Sequence, residues 1–193
     1  KGKVMSDNEI CYMSATELFQ SYRDKKLSPV EVVKALISQA EAINSKINAF
    51  TYTFYEEALD NAKKAEKKFF SKSDKLGLLE GIPVGIKDES GLKGKPMSNG
   101  SLLLEGTISE SDAPINERIL REGGIVLART ATPEFSCAGY CNNLVTGITR
   151  NPWNSMESME FHGFHRIPRN SKFHGIHRIA WIQWNLRIPW NSM

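Results

Sequence analysis

Residues 81–87 read Gly-Ile-Pro-Val-Gly-Ile-Lys, a short apolar run opened by a glycine and closed by a lysine. A run of this length, with valine and isoleucine inside it, predicts a buried strand rather than a helix. Outward from it, residues 112–122 suit a helix that Gly123 and Gly124 would stop. Ile125-Val-Leu-Ala128 then predicts a second apolar strand. Strand, crossover helix and strand make the unit of a parallel sheet, so the fold class is α/β.

Upstream, Ser14-Ala-Thr-Glu17 has the spacing of a capping box, in which a serine and a glutamate satisfy each other's free backbone donors. Leu18, Phe19 and Tyr22 follow at helical spacing. Ser28-Pro-Val-Glu31 repeats the device, with proline at the first helical position, where its missing N–H does no harm. Val32, Val33, Leu36, Ile37, Ala40 and Ile43 then form one apolar face. A third helix is expected from Tyr55 to about Phe70, with lysines and glutamates on its solvated side. These three helices are expected to lie outside the sheet.

The chain has 193 residues and a net charge of +3, too small to argue for nucleic acid by itself. The excess is local. Beyond Asn154 stand Arg166, Arg169, Lys172, Arg178 and Arg187 against Glu157 and Glu160, so residues 1–154 are balanced. The same segment holds His162, His165, His174 and His177, and three of the four tryptophans. No apolar run approaches the roughly 20 residues of a membrane helix. The start lacks an apolar signal region, and Met5 is a candidate first residue. Cys11, Cys137 and Cys141 show no zinc-ligand spacing and read as reduced thiols of a cytoplasmic protein.

Lys87 is the residue with chemical promise. A neutral lysine is a general base, but an ordinary pKa of about 10.4 leaves few neutral at pH 7, and burial can lower it. The plainer reading is a strand-end lysine reaching for solvent. Spacing alone leaves both readings open. Alternation along a strand places Lys87 and Asp88 on opposite faces, so they need not pair.

Three spaced pieces tip the balance: LEGIPVGIKDESGLKGKPMSNGS (Leu79–Ser101), DAPINERILREGGIVLARTATPEF (Asp112–Phe135) and NNLVTGITRNPWN (Asn142–Asn154). In this order they resemble the amidase signature family, as does the helical leading segment from Ser14. The resemblance implies an α/β fold with a mixed sheet flanked by helices, and hydrolysis of a carboxamide to an acid and ammonia or an amine. It implies a triad of lysine, a serine preceded by a cis peptide, and a nucleophilic serine, with Lys87 on the lysine position as the catalytic residue. A small-molecule amide is the implied substrate. No cofactor, metal, membrane or nucleic-acid partner is expected, and no oligomeric state follows. A glutamine-dependent amidotransferase A-type subunit is the alternative within the family, although Ala131–Gly139 looks more like free amidases.

The family's glycine-serine segment, source of both serines and of the oxyanion donors, follows the asparagine-proline-tryptophan piece by a few residues. Here those residues are Ser155-Met-Glu-Ser-Met-Glu160, and no paired glycines occur after Gly124. Ser155 and Ser158 read as incidental serines, without glycines that would let backbone approach an oxyanion. The organisation expected is therefore an extension over 1–13, an amidase domain fragment over 14–154, truncated after its lysine, and a repeat-like tail over 155–193.

The tail repeats its syllables: NPWNSM at 151–156 and IPWNSM at 188–193, FHGFHR at 161–166 and FHGIHR at 173–178. Back-translation builds them from TGGAA and its reverse complement TTCCA, a unit out of step with the codon, so translated repetitive DNA accounts for them. The His-x-x-His pairs offer imidazoles to a metal, and the basic charge offers a nucleic-acid surface, which makes a non-enzymatic binding fragment the second alternative. Apolar residues there follow neither a period of 2 nor 3.6, so the tail is expected to be poorly ordered. Amide exchange should find residues 155–193 far less protected than the body; equal protection would refute the expectation.

Overall fold

The structure, a computed structural model, describes residues 6–71 and 75–151. The expectations for residues 155–193 and for Met5 lie outside them. The chain runs α1 (Asp7–Cys11), α2 (Ala15–Arg23), α3 (Pro29–Ile47), β1 (Phe50–Thr53), α4 (Tyr55–Phe70), β2 (Pro83–Lys87), α5 (Pro114–Arg121), β3 (Ile125–Thr130), β4 (Asn142–Asn143) and β5 (Gly147–Ile148). Both expected capping boxes form, at Ser14–Glu17 and Ser28–Glu31. A third, Ser6–Glu9, starts the short α1.

Three strands make one sheet in the order β1-β3-β2, parallel between β2 and β3 and antiparallel between β1 and β3. This is a mixed α/β fold, and the parallel pair is the one expected from the sequence. Sequence reading passed over β1, because its four residues follow directly on a long helix. The left-handed Asn48 (φ 52) ends α3 and turns the chain into that strand. The Asn44 carboxamide oxygen accepts from the N–H groups of Ala49 and Phe50 at 2.9 and 3.0 Å, which fixes the corner.

Alternation along β3 loads both faces of the sheet. Ile125 and Leu127 pack with Leu18, Tyr22, Val32, Val33, Ala58, Ala62 and Phe69 of α2, α3 and α4. Val126 packs instead beside Val84, Ile86, Leu92 and Ile119 of α5. Helices therefore cover both faces, and β3 is buried between them. Two glycines allow close backbone approach below it. A Cβ at Gly77 would collide with the Glu122 carbonyl oxygen, and one at Gly123 (φ 85) would lie 2.8 Å from Glu80.

The hairpin β4–β5 is stapled to α3 by polar contacts. The Asn48 amide donates to the carbonyls of Thr146 (2.5 Å) and Ile148 (3.3 Å), and Arg150 N–H donates to the Ile47 carbonyl at 2.7 Å. Leu127 is fully buried on the helix-covered face. Leu127→Ala should cost about 2–5 kcal/mol through lost transfer energy and the cavity left behind. Urea unfolding followed by far-UV circular dichroism reads the difference, and a loss below about 1 kcal/mol would contradict this core.

Candidate active site

Parallel pairing brings the ends of β2 and β3 side by side, with Lys87 opposite Thr130. The residues after each strand then diverge into two loops that meet above the sheet edge. Lys87 stands at that edge with its side chain one-third exposed (33%). Its ammonium lies 3.2 Å from a Glu89 carboxylate oxygen and donates to the Ser136 hydroxyl at 3.2 Å. Lys87 looks into a polar corner open to solvent on one side.

Asp88 takes the opposite course, as strand alternation requires. It is 1% exposed and accepts from the Ser98 N–H at 3.2 Å and from the Ser98 hydroxyl. The guanidinium of Arg129, with no exposed surface, has its Nε 3.8 Å from Asp88 Oδ1. The Arg129 Nη1 donates to the carbonyls of Lys87 (3.3 Å) and Ser90 (2.5 Å). Arg129 Nε and Nη2 have no hydrogen-bond acceptor among the described residues. Burial pushes the Asp88 carboxyl above its ordinary range despite Ser98 and Arg129, and burial also lowers the Arg129 guanidinium. Desolvation thus outweighs attraction in both partners.

The second loop is held against the first. Asn99 (φ 49) and Gly100 (φ 67) form a left-handed turn, and a Cβ at Gly100 would lie 2.7 Å from the Thr132 carbonyl oxygen. Phe135 N–H donates to the Asn99 carbonyl at 2.9 Å. The buried Asn143 amide donates to the Thr132 carbonyl at 2.7 Å. Ser136 then lies with Oγ 2.8 Å from Thr132 Oγ1 and in contact with the Glu89 carboxylate. Cys141 belongs to the same corner. Burial pushes its thiol up, while the Thr149 hydroxyl and the charge of Lys87 pull it down. All three cysteines are free.

Of these residues, sequence reading singled out Lys87 alone. Arg129 carried a usable signal, a charged residue interrupting an apolar strand, which asks for a buried partner. Glu89, Ser98, Thr132 and Ser136 carried none, because loop closure alone brings them together.

A family model described as Amidase matches residues 31–159. The chain belongs to the amidase signature family. Among curated relatives of this chain, the A subunit of the glutamyl-tRNA(Gln) amidotransferase of Clostridium botulinum (strain Alaska E43 / Type E3) is 40% identical over 139 residues, 72% of this chain and 28% of the relative. Indoleacetamide hydrolase of Bradyrhizobium diazoefficiens is 37% identical over 140 residues, 72% of this chain and 26% of the relative. Among solved structures, a fatty acid amide hydrolase superposes with TM-score 0.72 at 28% identity, covering 79% of this chain and 27% of that one. A bacterial aryl acylamidase described as belonging to the amidase signature enzymes superposes with TM-score 0.71 at 27% identity, covering 76% and 31%. The chain spans less than a third of the length of these relatives. No helix among the described residues is long and apolar enough to cross a membrane.

The Asp88–Arg129 pair sets a pH-dependent test. Arg129→Met leaves a buried carboxylate unpaired and should cost about 3–5 kcal/mol near neutral pH. A carboxyl with a raised folded value contributes stability that is present below its unfolded pKa and lost as pH rises through the folded one. The gap between wild type and Arg129→Met should therefore narrow as pH falls towards about 3.9. Urea melts across that range check it; a gap that widens on acidification would show that Asp88 is not the titrating partner.

Proposed function

We propose that this chain is the lysine-bearing part of an amide hydrolase in which Lys87 is the proton acceptor for a serine nucleophile. The supporting observation is the position of Lys87: it ends a strand of the parallel pair, and its ammonium is within hydrogen-bond reach of a hydroxyl. A serine hydroxyl is a weak nucleophile until a neighbouring base removes its proton. A neutral lysine can take it, and the resulting ammonium can return a proton to the departing amine. The substrate class is a small carboxamide, cleaved to an acid and ammonia or an amine. That chemistry agrees with what the names fatty acid amide hydrolase and Indoleacetamide hydrolase say of those relatives.

Chemistry of this kind needs more than the lysine. It needs a nucleophile and backbone donors aimed at the developing oxyanion. Residues 155–160 lack the paired glycines of the family's glycine-serine segment. We read the 193-residue polypeptide by itself as inactive towards amides, because members of such a triad act as a unit.

A second reading within the family is release of ammonia from glutamine for an acceptor bound elsewhere. It is favoured by the 40% identity to the amidotransferase relative. One chimaera separates the two. A family-type continuation carrying the glycine-serine segment, joined after Asn154, should restore ammonia release that Lys87→Ala then lowers by about 100-fold or more. Release from simple carboxamides supports the hydrolase, and release from glutamine alone supports the amidotransferase. Turnover that survives Lys87→Ala would refute both, and amide turnover by the unextended 193-residue polypeptide would refute its reading as inactive.

A further inference from the structure

Ser136 occupies an unusual setting for a surface serine. It ends a single 3-10 turn, Glu134–Ser136, where Phe135 (φ 48, ψ 26) and Ser136 (φ 55) are both left-handed. Two consecutive non-glycine residues in that region cost energy that neighbouring contacts must offset. Those contacts are visible. Phe135 N–H donates to Asn99, Ser136 N–H to Pro133 and Cys137 N–H to Glu134. The backbone is thereby fixed in the one conformation that carries the Ser136 hydroxyl over the end of β2.

There it meets three partners. The Lys87 ammonium donates to Ser136 Oγ at 3.2 Å, Thr132 Oγ1 lies at 2.8 Å, and the hydroxyl donates to the Glu89 carboxylate. A proton acceptor on one side and a cation on the other is the arrangement that favours an alkoxide. Ser136 is also exposed, so a reagent can reach it. The hydrolysis proposed above draws its nucleophile from chain beyond Asn154, so it leaves the Ser136 hydroxyl itself without a role.

We propose that Ser136 is a nucleophilic acyl-acceptor site in this chain, with Glu89 as proton acceptor and Lys87 as the cation that steadies the alkoxide. The proposal rests on Lys87 being the chemical centre of the site, and concerns a different hydroxyl from the one that would turn over amides. With an activated ester, Ser136 Oγ bonds to the carbonyl carbon while its proton passes to the Glu89 carboxylate. The ester C–O bond breaks, the bonding pair leaves on the phenolate, and Glu89 gives its proton to water. The product is an acyl ester of Ser136. Amides are not substrates for this step, because an amine cannot leave without the donors that a nitrophenolate does not need.

The test uses the full 193-residue chain with p-nitrophenyl acetate and peptide mass mapping. One equivalent of nitrophenolate should be released quickly, with acetate on Ser136 and not on the exposed Ser71. Ser136→Ala should remove that burst. Glu89→Gln and Lys87→Met should each slow acetylation of Ser136 by about tenfold or more, while acetylation of the exposed Lys63 stays unchanged as an internal control. Glu89 lies on the surface, so Glu89→Gln remains informative even where Lys87→Met unfolds. Acetylation of Ser136 no faster than of Ser71, or indifferent to Glu89→Gln, overturns the proposal. The chimaera keeps the two readings apart. Turnover that needs Lys87 with no burst at Ser136 sinks only this inference. A Glu89-dependent burst with turnover indifferent to Lys87 sinks only the hydrolase.

Discussion

The buried Arg129 guanidinium, wedged between Asp88 and the carbonyls of Lys87 and Ser90, is the contact on which the site's geometry depends. Parallel strands carry no hairpin to tie their ends, so something must stop β2 and β3 from splaying where the chain leaves them. Arg129, near the end of β3, grips the backbone of Lys87 and Ser90 at the end of β2 and faces Asp88 between them. The Asp88 carboxylate extends the clamp by accepting from Ser98, which sets the turn at Asn99 and Gly100. That turn receives the loop bearing Ser136. A charge pair under the sheet edge thus decides where the exposed polar groups above it stand.

Such a pair costs stability rather than adding it. Burial moves Asp88 and Arg129 towards their neutral forms, so desolvation exceeds their mutual attraction across 3.8 Å. Apolar packing must supply the difference, and β3 is placed to do so, with Ile125 and Leu127 under three helices and Val126 beside Ile119. What the pair provides is direction. Two adjacent residues at one strand end face opposite ways, Asp88 into the protein and Lys87 towards the open corner. The same alternation that buries one leaves the other available for chemistry.

Fold and site were legible to different degrees, for a physical reason. Helix starts were readable because a capping box is a local device, a serine and a glutamate three residues apart. The same rule applied to Ser6–Glu9 would have found α1. The β2–α5–β3 unit was readable because apolar runs of strand length, broken by glycines, have few alternatives. The strand β1 was not, since Phe50–Thr53 is four residues long and its place is set by antiparallel pairing with β3. The strand-end position of Lys87 was readable from its place at the end of an apolar run. Arg129 was half-readable, as a charge where apolar residues belong.

By itself, then, the sequence determined the helices with serine caps, the two strands of the parallel pair, and the change of composition after Asn154. Each of these is written in neighbouring residues, within reach of one turn or one strand. Only the tertiary structure decided which face Lys87 and Asp88 each address, that Arg129 lies beneath them, and that Ser136 comes within 3.2 Å of a lysine 49 positions earlier in the chain. Those facts depend on loop closure over long separations. Their energies come from burial and from hydrogen bonds between remote segments, and no local pattern records them.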